Sequence, residues 1–123
     1  MSYMLLIIEP TEQRATRTEA EGHEAYAQMQ RFGESLKAEG KLKAVESLAS
    51  QRDAVRVSTR GGKAQLLDGP FAEAKEMIGG FFLLQNVTRE EAVAYAHACP
   101  AAQWCTVEVR ALAPCFEGSA ADR

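Results

Sequence analysis

The sequence predicts an α+β domain built on a ferredoxin-like split βαβ pattern, and three observations carry that prediction. Thr18-Glu19-Ala20-Glu21 and Thr88-Arg89-Glu90-Glu91 both have the form of a capping box, with Thr at N-cap and Glu three residues on, so each opens a helix. Short apolar, β-favouring runs lie before and after each helical stretch. Between the two halves, Gly61-Gly62 and Asp68-Gly69-Pro70 mark turns around a pair of short strands. The predicted order is strand, helix, strand, hairpin, strand, helix, strand, with an extra central hairpin added to an antiparallel sheet.

Each element has its own signal. Residues 3–8 form a near-continuous apolar run, the pattern of a strand covered on both faces, and Glu9-Pro10 ends it. From the Thr18 cap a helix should run to about Glu39, with Tyr26, Met29, Phe32, Gly33 and Leu36 on one side. Gly40 suits the position after its end, where Lys37 and Lys41 meet the negative pole of the helix. Residues 43–50 fit a strand through Ala44, Val45 and Leu48, and Gln51-Arg52-Asp53 a turn. Residues 54–59 alternate, Val55 and Val57 against Arg56 and Ser58, so one face is wet. Residues 64–67 return as a strand into the Asp68-Gly69-Pro70 turn.

A polar loop with Glu73, Lys75 and Glu76 follows, then Gly79-Gly80, read as a bulge or a close backbone approach. Residues 81–87 are a buried strand, Pro100 stops the second helix, and residues 104–112 form the last strand. Residues 1–115 make one domain, and 116–123 a frayed C-terminal tail. Two strands are apolar on both faces, yet two helices cover one face only. The sheet's other face therefore calls for a second copy, a homodimer.

Composition narrows the function classes. The chain has 123 residues, 46% hydrophobic and 25% charged, enough for a core without disulfides or metal. A net charge of −3 with scattered Lys and Arg argues against direct binding of nucleic acid. No segment approaches the roughly 18 apolar residues that span a bilayer, so no membrane role is expected. The start of the chain lacks a signal-peptide pattern, and the expected location is cytoplasmic. Cys99, Cys105 and Cys115 are odd in number and lack a C-x-x-C pair, so they read as small apolar residues in a reducing compartment. No zinc spacing, nucleotide loop or nucleophilic triad pattern is present, and no cofactor is expected.

The stretch Asp68-Gly69-Pro70-Phe71-Ala72-Glu73-Ala74-Lys75-Glu76, followed by Gly79-Gly80-Phe81-Phe82-Leu83-Leu84, resembles the signature of the DGPF proteins within the YCII-related family. Residues 1–8, Arg60-Gly61-Gly62-Lys63 and Val107-Glu108-Val109-Arg110 are similar to that family's opening strand, hairpin and final strand. The resemblance implies a dimeric α+β barrel. It implies little about reaction, since the family is mostly without an assigned activity and is often encoded beside extracytoplasmic-function sigma factors. The wider YCII relatives suggest a His–Asp pair, which would fall on His23 and Asp68 here.

The expected site is therefore a cleft near Asp68. Asp68 and His23 are candidate acid/base groups, and Phe71, Glu73, Lys75 and Glu76 candidate binding residues. Each has a plainer role available. Asp68 can fix its own turn, His23 sits at the edge of its helix's apolar face, and the loop charges can pair with one another in solvent. His97, near Pro100, suits the negative end of the second helix. The first functional expectation is a small-molecule protein handling a small polar or anionic metabolite by cofactor-free lyase, isomerase or hydrolase chemistry. The second is a non-catalytic regulatory protein that binds a partner such as a sigma factor.

Overall fold

The computed structural model describes residues 1–116. Six strands and two helices run in the order β1 (Tyr3–Pro10), α1 (Glu19–Ala38), β2 (Leu42–Ser47), β3 (Val55–Arg60), β4 (Lys63–Asp68), β5 (Glu76–Leu84), α2 (Arg89–Ala98) and β6 (Thr106–Ala111). Single 3₁₀ turns at Arg14–Thr16, Gln51–Asp53 and Pro100–Gln103 join them. The main sheet has the order β2-β5-β1-β6 with every neighbouring pair antiparallel, while β3 and β4 form a separate two-stranded sheet. This is the split βαβ core with its added hairpin. The expected tail lies almost wholly outside the described residues.

Both helices start where the capping boxes put them. Thr18 accepts from the Glu21 N–H at 3.1 Å while the Glu21 carboxylate accepts from the Thr18 N–H at 2.8 Å. Thr88 and Glu91 repeat the same pair of bonds. These bonds satisfy backbone donors that the first turn leaves unpaired, and they hold both carboxyls below the usual range.

The pleat of β1 then decides what is inside. Tyr3, Leu5 and Ile7 point toward the helices and join Phe32 and Leu36 of α1 and Ala92 and Ala96 of α2 in the core. On β5, Phe82 and Leu84 stand opposite Leu5 and Tyr3 and face the same way. Phe82 meets Phe32 edge to face at 5.1 Å between ring centroids. The alternate residues Met4, Leu6, Ile8, Phe81 and Leu83 turn to the other, uncovered face and are partly exposed.

Strand β5 begins at Glu76, five residues before the expected start, so Gly79-Gly80 lies inside the strand. The glycines do not break it because each makes room for a neighbour. Ile7 pairs with Gly80 and Ile8 with Ile78, leaving Gly79 as the extra residue of a bulge. A Cβ on Gly80 would stand 2.8 Å from the Glu46 carbonyl oxygen. Glu76 accordingly belongs to a strand, opposite Pro10, and not to the polar loop.

The hairpin departs from expectation in its exposure. Val57 and Leu66 face each other across it, yet they are 70% and 64% exposed. The expected dry face is uncovered within one chain. Two-stranded ribbons are marginal by themselves, so this arm depends on its base, where the Gly69 N–H donates to the Ala54 carbonyl at 2.7 Å.

Replacing Thr88 by Ala is expected to cost about 1 kcal/mol in urea unfolding. The two carboxyls with lowered pKa stabilise the fold above the ordinary value of 4.5 and lose that contribution as pH falls through their lower folded values. Glu91→Gln should therefore flatten the acid limb of a stability–pH profile while leaving its neutral slope unchanged.

Candidate functional site

A concavity of about 720 Å³ lies between α1 and the helix-facing side of the sheet. That is within the range of small-molecule sites. It exists because the first turns of α1 stand off the sheet. The burial of α1 is confined to Phe32, Gly33 and Leu36, toward its C-terminal end, while Tyr26 is largely exposed. Ile7, Met29, Val45, Phe82 and Trp104 supply apolar walls. Arg17 leans over the Trp104 ring, 5.8 Å from its centroid.

Glu9 is also in the lining, and at 5% exposure it is the buried charged residue among those described. It continues the inward parity of Tyr3, Leu5 and Ile7 along β1, so the strand itself drives a carboxylate into the protein. Arg14, on the 3₁₀ turn that follows, compensates it. The Arg14 Nε donates to Glu9 Oε1 at 2.9 Å and Nη2 donates to the same oxygen at 2.5 Å. Neither contact uses Oε2. The carboxylate lies over the bulged Gly79, where a Cβ would stand only 2.7 Å from the Glu9 carboxyl carbon. The glycine is thus required by packing, and the bulge, the acid and the arginine form one unit.

The residues singled out in the sequence are divided by the fold. His23 reaches the rim of this cleft, with a side chain 80% exposed and Nε2 4.0 Å from Glu19 Oε1. A pair so exposed is worth little. Asp68, Phe71, Glu73, Lys75 and Glu76 do not line the cleft. Asp68 ends β4 opposite Val55, and the peptide linking Gly69 to Pro70 is cis. Phe71 is buried with the Arg56 guanidinium 3.8 Å from its ring centroid, and Arg56 Nη1 lies 3.9 Å from Glu73 Oε1. Phe71 and Glu73 thus come together around Arg56. Lys75 and Glu76 sit beside the end of β1, where the Lys75 carbonyl accepts the Thr11 N–H at 3.0 Å.

Sequence reading missed Glu9 and Arg14 as site residues. The available signal was an acid at the fourth inward position of an otherwise apolar strand. The cysteines stay outside the chemistry. Cys99 is buried, and burial raises its thiol pKa. Cys105 is pushed up to about 11 by burial, with the Glu9 charge adding to the effect. Among the described residues no group of three or more His, Cys, Asp and Glu is placed to hold a metal ion, and no helix is long and apolar enough to cross a membrane.

The chain matches a family model, the YCII-related domain, over residues 1–115. The chain belongs to the YCII-related family. It is also 37% identical over 57 residues to an uncharacterized protein of Rhizobium meliloti (strain 1021). That match covers 46% of each chain, so this chain spans about half the length of the relative it matches.

Gly79→Ala is expected to destabilise the protein by about 1–3 kcal/mol through overpacking against Glu9. Combining it with Glu9→Ala should cost less than the sum of the single changes, and strict additivity in the double-mutant cycle would refute the contact. Alkylation of the folded protein at pH 8 should modify the exposed Cys115 first, with Cys99 and Cys105 reacting only on unfolding.

Proposed function

We propose that this YCII-related protein binds a small molecule in the cleft between α1 and the sheet. The observation that carries the proposal is the buried Glu9 paired with the half-buried Arg14 in the wall of a cavity whose other walls include Ile7, Met29, Val45, Phe82 and Trp104. A few convergent polar groups in a concave apolar setting are the usual composition of a ligand site. His23 at the rim is a candidate proton carrier for cofactor-free acid/base chemistry. On this reading Asp68 acts on the hairpin turn and not on the ligand.

The working form is a cytoplasmic homodimer. The uncovered sheet face has an apolar centre on β1 and β5, where Met4, Leu6, Phe81 and Leu83 stand, with Glu108 and Arg110 on the outer strand β6. An apolar core with a charged rim suits association, and a second copy related by a two-fold axis is the simplest cover. The exposed apolar side of the hairpin favours a second reading, in which that arm engages a regulatory protein such as a sigma factor.

Nuclear magnetic resonance titration with a mixed set of small metabolites tests the cleft. Shifts are expected at Met29, Gly80 and the Trp104 indole, whereas shifts confined to the hairpin would overturn the proposal. Asp68→Asn should leave those shifts unchanged, and their loss at full thermal stability would return Asp68 to the site. For the dimer, Leu83→Arg is expected to halve the mass in sedimentation while keeping the helical circular dichroism signal.

A further inference from the structure

Among the polar groups of the cleft, Glu9 and Arg14 present an asymmetric pair of contacts, and that asymmetry defines a ligand class for the part of the cleft they border. Arg14 approaches Glu9 sideways, spending Nε and Nη2 on Oε1. The guanidinium edge that carries Nη1 is not engaged by Glu9, and Glu9 Oε2 is not engaged by Arg14. Arg14 is also incompletely buried, with 34% of its side chain exposed against 7% for Glu9. A ligand meeting the pair therefore finds a hydrogen-bond donor beside a hydrogen-bond acceptor, and the two charges already compensate each other.

We infer that this cleft selects a neutral group carrying an acceptor and a donor side by side, of the carboxamide or lactam type, attached to an apolar ring or chain. The inference rests on the cleft being the ligand site. The ligand's carbonyl oxygen takes an N–H from the free edge of Arg14, and its N–H donates to Glu9 Oε2. The apolar part lies along Met29, Val45, Phe82 and Trp104. An anionic carboxylate in the same position places its second oxygen against Glu9, and Arg14 has no uncompensated charge to offset the repulsion. A ketone satisfies Arg14 but leaves the buried acid's second oxygen without a donor, which costs binding energy. A cationic head meets the guanidinium. The neutral amide is the group that leaves neither partner unpaired.

Gly79 sets the depth of this recognition. With no side chain there, the carboxylate rests on the backbone of the bulge, and the Arg14 Nη2 also approaches the Gly79 carbonyl at 3.5 Å. The pair is held from below by the strand and from one side by the 3₁₀ turn, so both polar contacts are positioned before a ligand arrives.

Three planar probes of nearly equal shape test the inference on the full chain: benzamide, benzoate and acetophenone. Affinities come from the shifts of the Gly79 and Gly80 amides and the Trp104 indole. Benzamide is expected to bind about tenfold more tightly than either of the others, the lower end of what a hydrogen bond to a charged group contributes. Glu9→Gln removes the compensating charge, and in that variant benzoate should overtake benzamide. Benzoate binding as well as or better than benzamide in the native protein overturns the inference while leaving the cleft as a ligand site. Failure of all three probes, with other metabolites still shifting Met29 and Trp104, also overturns it. Failure of every compound at the cleft removes the underlying proposal as well. If Glu9→Gln does not fold, the comparison of the three probes on the native chain decides the question alone.

Discussion

A carboxylate buried on the inward face of the first strand constrains much of what surrounds it. Burying a charge is costly unless it is paired and hydrogen-bonded, so Glu9 cannot be placed without Arg14. The arginine must in turn sit on a tight turn directly after β1 to approach from the side. The opposite strand must yield space, and it does so by inserting a glycine as a bulge at position 79. A single inward acid thereby fixes a turn, a strand irregularity and one wall of the cleft. The apolar parts of the fold allow volume-conserving substitution more freely than this cluster does.

The same cluster explains why the cleft stays open. An apolar residue at position 9 would extend the core stripe of β1 and give the first turns of α1 something to pack on. With an ion pair there, α1 is anchored instead by Phe32 and Leu36, and its N-terminal half stands away from the sheet with Tyr26 turned largely to solvent. A chain of this size can leave such a space because the remaining core is continuous. Leu5, Leu36, Leu84 and Cys99 are fully buried and tie both helices to the sheet.

What the sequence disclosed follows from how local each signal was. Capping boxes involve bonds between residues three apart, so Thr18 and Thr88 announced both helix starts. The alternation in β3 and the Gly61-Gly62 turn announced the hairpin in the same way. The start of β5 was obscured because Glu76 and the two glycines read as loop chemistry, and only the long-range approach of Glu9 and Glu46 shows why glycine is tolerated in that strand. The site was the least legible part. Glu9 next to Pro10 looks like punctuation at a strand end, and its partner is five residues on in a turn with no periodic signal. The family signature drew attention to the stretch from Asp68 to Glu76, whereas the cavity is bordered by β1, α1, β2, the bulge of β5 and the turn before β6. Of the six expected site residues, His23 alone reaches that border.

The strand order has a consequence for how the protein is made. β1 is central in the main sheet, yet both of its neighbours, β5 and β6, come from the second half of the chain. On the ribosome the apolar strand β1 therefore waits, unpaired on both edges, until β5 has emerged. Pairings between residues so far apart form slowly because loop closure must precede any contact energy. The capped helix α1 can form meanwhile and lay its Phe32 and Leu36 against that strand. Helix α1 thus serves as a temporary cover for β1, and nascent-chain chaperones would be needed most before residue 84 is synthesised.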